Sequence, residues 1–186
     1  FTQSKESRQI SACIDELLKD VELIFTKQKS LIGIPSGYTS IDRKTGGWQP
    51  GNLIIIAGRP SMGKTALALA LSLNTARLNH PVGLFSLEMS DSEIAARFLS
   101  SVSGYSNVQI RNADINLEKV ALKSNDIAGL PIIIDDTPGL SLMELRSKVK
   151  KMILKHGVEL VIVDYLQLMT AEAGNREQEV ATISRG

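Results

Sequence analysis

Apolar residues fall at Ile10, Ile14, Leu17, Leu18, Val21, Ile24 and Phe25, steps of mostly three and four that predict a helix over Ser7 to Phe25 with one greasy face. Gly33-Ile34-Pro35-Ser36-Gly37 then sets this helix apart from the domain that follows. From Asn52 to Ala57 the pattern is a short, unbroken apolar run between Pro50-Gly51 and Gly58, which predicts a buried strand. Thr65 to Leu78 is rich in Ala and Leu nearly all round, as suits a helix packed among other elements, and Asn79-His80-Pro81 stops it. Further strands are predicted at Val82–Leu87, Ile132–Ile134 and Leu160–Val163. Between them, Ser90-Asp91-Ser92-Glu93 and Ser141-Leu142-Met143-Glu144 have the Ser-x-x-Glu order of a capping box and open two helices, the second closed by Gly157. Ala171 to Asn175 reads as a loop into a last helix, with Asn175 as its N-cap and Gln178 three residues on.

Continuous apolar strands alternating with helices indicate an α/β fold with a mostly parallel sheet covered on both faces. Ligands of such sheets bind beyond the carboxyl ends of the strands, so residues just after each strand are the first to inspect for chemistry.

Composition narrows the classes. With 43% apolar and 22% charged residues in 186, the chain has ordinary globular make-up and enough length for a sizeable core. Twenty-one Lys and Arg against 20 Asp and Glu give no bulk charge for wrapping nucleic acid or binding anionic lipid. Three Tyr, four Phe and one Trp do not support an aromatic platform for single strands. Cys13 is alone, which excludes an internal disulfide and a cysteine zinc site and favours a reducing compartment. His80 and His156 are far apart and are expected near helix ends rather than on a metal. The first residues lack signal-peptide order, and no apolar run is long enough for a membrane span, so a cytoplasmic location is expected. Because the sequence starts without Met and stops within an apparent helix, it is expected to be a fragment of a longer polypeptide.

The sharpest chemical signal is Gly58-Arg59-Pro60-Ser61-Met62-Gly63-Lys64-Thr65, the phosphate-loop order of Gly, four residues, Gly-Lys-Thr. A turn that leaves a strand and enters a helix points successive backbone N–H groups inward, and the helix dipole adds positive potential. Lys64 would reach the β- and γ-phosphates, and the Thr65 hydroxyl would ligate Mg²⁺. The competing reading is a glycine turn that only joins strand to helix. Leu160-Val161-Ile162-Val163-Asp164 is an apolar strand ending in a carboxylate, as a Walker B Asp requires to hold Mg²⁺ through water. Glu88 follows the strand Val82–Leu87 and so lies at the same sheet edge, where a general base for an attacking water would be; helix-start electrostatics is its bland alternative. Asp135 and Asp136 compete for either role but rank lower, as turn residues before Thr137-Pro138-Gly139. Lys148, Lys151 and Lys155 make a basic stripe that reads as a solvated helix face.

Taken together, Gly58–Thr65, Phe85-Ser86-Leu87-Glu88-Met89-Ser90 and Val163-Asp164-Tyr165-Leu166-Gln167-Leu168-Met169 resemble the bacterial replicative hexameric DNA helicases of the DnaB family. The lead-in Ile34-Pro35-Ser36-Gly37-Tyr38, with Ile41-Asp42 and Gly46-Gly47-Trp48, is also similar to that family's entry into its motor, and the resemblance runs nearly the whole chain. It implies a RecA-like P-loop NTPase preceded by an amphipathic linker helix: residues 1–32 as linker and connection, residues 33–186 as the N-terminal part of the ATPase domain. It further implies a ring of six such domains around single-stranded DNA, driven by hydrolysis of Mg-ATP, in which the linker helix packs on the adjacent subunit. By motif, Lys64 and Thr65 would bind nucleotide and Mg²⁺, Glu88 would be the catalytic base and Asp164 the Walker B acid. In the family a sensor strand, DNA-gripping loops and an arginine finger follow the position of Gly186, the sensor strand lying between the Gly58 and Asp164 strands. Primase and a helicase loader are partners expected of the full-length family member. Two other functions stay open on sequence: a non-translocating RecA-like ATPase, and an interaction module with a vestigial phosphate loop.

Overall fold

The structure is a computed structural model that describes residues 9–27, 31, 33–165 and 169. Ser7, Leu166–Leu168, the loop and helix predicted around Asn175 and Gln178, and Ile183-Ser184-Arg185 lie outside the described residues. The chain divides into two compact units, Phe1–Leu53 and Ile54–Gly186.

In the first unit, α1 (Ile10–Lys27) matches the helix predicted from the three-and-four spacing. Ile10, Ile14, Leu17, Leu18, Val21 and Phe25 are all solvent-exposed, so its apolar face is uncovered among the described residues. The segment after it folds on itself. Ile34 and Trp48 form an antiparallel bridge, and α2 (Thr39–Thr45) lies between them in sequence. A Cβ on Gly33 would stand 2.5 Å from the Trp48 carbonyl oxygen, so the two arms of this small loop meet at a distance only glycine allows. The Ser36 N–H donates to the buried carboxylate of Asp42 at 2.8 Å, which holds the loop to α2.

The second unit is the α/β layer structure. Its elements in order are α3 (Lys64–Arg77), β1 (Val82–Ser86), α4 (Asp91–Ser103), α5 (Asn107–Arg111), α6 (Leu117–Ala128), β2 (Ile132–Asp135), α7 (Leu142–His156) and β3 (Leu160–Asp164). The three strands form one parallel sheet in the order β2-β1-β3, with Val82 paired to Ile132 and to Leu160. Every residue of the central strand β1 is buried, as expected of a parallel strand covered on both faces. Alternation along the strands sorts the core into two. Leu84, Ile132, Ile134 and Ile162 face Leu69 and Leu73 of α3 and Ile94 and Phe98 of α4. Phe85, Ile133, Val161 and Val163 face Met152, Val149 and Leu145 of α7. Both predicted capping boxes are present: Ser90 with Glu93 at α4, and Ser141 with Glu144 at α7, which Gly157 closes in the left-handed conformation. His80 follows α3 and His156 ends α7, both at helix ends as expected.

One strand expectation fails. Asn52–Ala57 is not a strand but an exposed run, with Leu53 and Ile55 about two-thirds accessible at 66% and 69%. A strand is stabilised by ladder hydrogen bonds, and these residues have no ladder partner among the described residues, since β3 pairs only with β1. Apolar content made the run look like a core strand, but pairing decides whether such a run becomes one.

Candidate functional site

The loop Gly58–Gly63 leads into α3, whose first residue is Lys64. Two of its residues take the left-handed conformation, Ser61 at φ 63° and Gly63 at φ 87°. Alternating hand in successive residues turns neighbouring N–H groups toward one side, the geometry of an anion-binding concavity. Glycine at 63 is required by its backbone rather than by space, because a Cβ there would meet nothing within 4 Å. The Gly63 carbonyl accepts from the Leu67 N–H at 2.9 Å, the first bond of α3, so the loop is continuous with the helix N-terminus and its dipole. Gly58, Arg59, Pro60, Ser61, Met62 and Gly63 are exposed, and Lys64 and Thr65 are half-buried.

Two other elements deliver carboxylates to the same part of the fold. Ser86 of β1 pairs in register with Asp164 of β3. One residue further, the Leu87 N–H donates to the Asp164 carbonyl at 2.8 Å, which extends the β1–β3 ladder to the residue before Glu88. Glu88 then stands exposed in the turn between β1 and α4. The Lys64 ammonium lies 5.6 Å from the centroid of the Tyr165 ring, within cation–π range, so the start of α3 meets the residue that follows Asp164. The structure therefore brings Lys64, Glu88 and Asp164 to one end of one sheet.

The rival carboxylates are engaged elsewhere. Asp135 ends β2 and accepts from the Lys148 ammonium at 2.6 Å and from the Thr137 N–H at 3.1 Å, while Lys148 also donates to the Thr137 hydroxyl at 2.8 Å. Burial alone would push the Asp135 carboxyl up, but these donors together outweigh it and hold its pKa below the ordinary aspartate value. Asp136 accepts from the Asp91 N–H at 3.1 Å and so ties the end of β2 to the first residue of α4. The basic stripe needs a correction here. Lys151 and Lys155 are exposed, but Lys148 is half-buried and bound to Asp135 rather than part of a solvated face. Its ammonium is drawn toward the sheet because the Asp135 carboxylate ends β2 within its reach.

Sequence reading missed three contributors: Tyr165 under Lys64, the Asp136 tie to α4, and Ser86. The last left a legible trace, a serine three residues before Met89, where its hydroxyl can bracket a short turn.

Residues 33–186 match the family described as DnaB-like helicase C terminal domain. The chain is 42% identical to the replicative DNA helicase DnaB of Rhodothermus marinus, over 97% of this chain and 20% of that protein. It is 40% identical to DnaB of Buchnera aphidicola subsp. Baizongia pistaciae, over 100% of this chain and 42% of that protein. Among solved structures, an ATPase domain superposes with a TM-score of 0.81 at 33% identity, covering 92% of this chain and 64% of that one. A DnaB-like replicative helicase studied with its interactions with primase gives 0.80 at 30% identity, covering 100% and 45%. The chain thus spans less than half the length of these curated relatives.

Proposed function

Because the chain belongs to the DnaB-like helicase C-terminal domain family, we propose that it is the nucleotide-binding part of an ATP-driven replicative DNA helicase motor. The observation that supports this most is the convergence of the Gly58–Thr65 loop, Glu88 and Asp164 at one sheet edge.

The residues present fit Mg-ATP. A loop of alternating backbone hand at a helix N-terminus suits a polyphosphate, and the Lys64 ammonium would add a positive charge for the β- and γ-oxygens. Thr65 and Asp164 supply two hard oxygen donors. Among the described residues no group of three or more His, Cys, Asp or Glu could hold a metal ion by itself. When bound, the metal neutralises charge that develops on the phosphates during transfer. Lys64 would orient the terminal phosphate, Thr65 and Asp164 would hold the metal, Asp164 through water, and the Glu88 carboxylate would position the attacking water and take its proton. Because the transition state is loose, the position of Glu88 matters more than its basicity.

In this reading, residues 1–32 are the linker and its connection, and residues 33–186 the N-terminal part of the ATPase domain. The exposed apolar face of α1 packs on an adjacent copy in a homohexamer around single-stranded DNA, since a stripe of this size marks an interaction surface. Primase and a helicase loader are the expected protein partners, and the cytoplasm is the expected location. No helix among the described residues is long and apolar enough to cross a membrane.

The test is ATP hydrolysis by the assembled protein, with and without single-stranded DNA, beside Lys64→Ala and Glu88→Gln. Lys64→Ala should abolish nucleotide binding, and Glu88→Gln should keep binding and cut turnover to a small residual rate. Turnover indifferent to DNA would move the assignment to a non-translocating ATPase. Failure to bind Mg-ATP would reduce the loop to a structural turn.

A further inference from the structure

The turn that presents Glu88 is built on a buried hydroxyl. Ser86 is the last residue of β1 and only 4% exposed. Its Oγ donates to the Met89 carbonyl at 2.7 Å and accepts from the Met89 N–H at 3.2 Å. Both bonds span Leu87 and Glu88, so the three residues from Leu87 to Met89 are closed onto one side chain. The two residues flanking Glu88 are fixed as well. Leu87 is hydrogen-bonded to Asp164 and its side chain lies in the core beneath α7, while Met89 packs into the core on the opposite face of the sheet. Beyond them Ser90 caps α4, and Asp136 holds the Asp91 N–H. The Glu88 backbone is thereby pinned on both sides while its carboxylate stays in solvent.

We propose that Ser86 is a positioning residue for Glu88: its hydroxyl, bonded to both polar groups of the Met89 backbone, sets where the Glu88 carboxylate stands relative to Asp164. The hydroxyl touches neither substrate nor metal and acts only through the turn. The need for it is physical. Leu87, Glu88 and Met89 belong to neither β1 nor α4, and without the Ser86 oxygen the Met89 N–H and carbonyl would lose these partners and the turn could relax. A reacting group displaced by about 1 Å costs on the order of 100-fold in rate.

The inference rests on the assignment of Glu88 as the base, and the experiment separates the two. Steady-state ATP hydrolysis and binding of a fluorescent ADP analogue would be measured for the assembled protein and for Ser86→Ala, Ser86→Thr, Glu88→Gln and the double variant Ser86→Ala/Glu88→Gln. Ser86→Ala should lower kcat by about 10- to 100-fold, with KM for ATP and analogue affinity within about twofold of the parent. Ser86→Thr, which keeps the hydroxyl on a residue suited to a strand, should recover most of the lost kcat. In the Glu88→Gln background, Ser86→Ala should change the residual rate by less than about twofold, because there is no base left to position. Parent-like kcat in Ser86→Ala, an equal loss of nucleotide affinity, or the same fold-loss in the Glu88→Gln background would overturn the role of Ser86 alone. If Glu88→Gln itself turns over like the parent, both assignments fall.

Discussion

Replacing Asp135 with Asn should destabilise the fold without touching the chemistry, and the structure sets the size of the effect. The side chain is nearly isosteric, so packing is kept, but the carboxylate that accepts from Lys148 at 2.6 Å becomes an amide. Hydrogen bonds to charged groups contribute about 1.5–3 kcal/mol, whereas exposed ion pairs contribute about 0–1 kcal/mol. With side-chain exposures of 14% for Asp135 and 32% for Lys148, the pair lies between these limits. A loss of about 1–2 kcal/mol is expected, at about 2–4 °C of melting temperature per kcal/mol for a chain of this size. The pH dependence follows from the depressed pKa. The folded carboxyl titrates below its unfolded value near 3.8, so the stabilisation is fully present above that value and is lost as pH falls through the folded pKa. The gap between parent and Asp135→Asn should therefore be constant from about pH 8 to pH 5 and shrink below about pH 4. Thermal or urea unfolding across that range measures it, and Lys148→Met in a double-mutant cycle assigns it to the pair. Equal stability at pH 7, or a gap undiminished at low pH, would refute the electrostatic account. Lost ATP hydrolysis in a folded Asp135→Asn protein would put Asp135 back among the candidates for chemistry.

Leu84 is fully buried in the central strand, and Leu84→Ala should cost about 2–5 kcal/mol, read as a lower urea midpoint at unchanged slope. Ser141→Ala removes the oxygen that accepts from the Glu144 N–H and should cost about 1 kcal/mol, with fraying at the start of α7 visible as faster amide exchange there. Leu17 and Leu18 are each more than half exposed on α1; replacing both with Glu should weaken self-association by more than about tenfold by sedimentation while leaving the circular dichroism of the folded core unchanged.

The strands β1, β2 and β3 and the helices α1, α3, α4 and α7 were legible because each signal was local, whereas α6 was not predicted and the same kind of short apolar run misled at Asn52–Ala57. β1, β2 and β3 are apolar runs too short for helices, and the Ser-x-x-Glu caps at Ser90 and Ser141 mark where the following helices begin. Local signals also reach their limit here. The capping box Ser106 with Gln109 opens only a five-residue helix, α5, whose apolar pattern is too short to stand out. Lys148 looked solvated because helical spacing gives the face of a side chain but not what lies across the gap, and the partner Asp135 is 13 residues away in sequence.

For the site, motif order pointed to Lys64, Thr65, Glu88 and Asp164 as candidates, since each directly follows or ends an apolar run or opens the helix after the phosphate loop, and strand ends of a parallel sheet gather on one side. What could not be read was which carboxylates are already satisfied. Four of them end or follow strands: Glu88, Asp135, Asp136 and Asp164. Asp135 and Asp136 accept from Lys148, Thr137 and Asp91, and those bonds join β2 to α7 and α4. Glu88, by contrast, is held by its backbone neighbours and presents its carboxylate to solvent. A carboxylate that knits the scaffold is poorly placed to take a proton, because protonation would cost the bonds it makes. The Glu88 side chain makes no such bond among the described residues and ties down no part of the fold, and that difference in attachment is the physical ground for ranking Glu88 above Asp135 and Asp136.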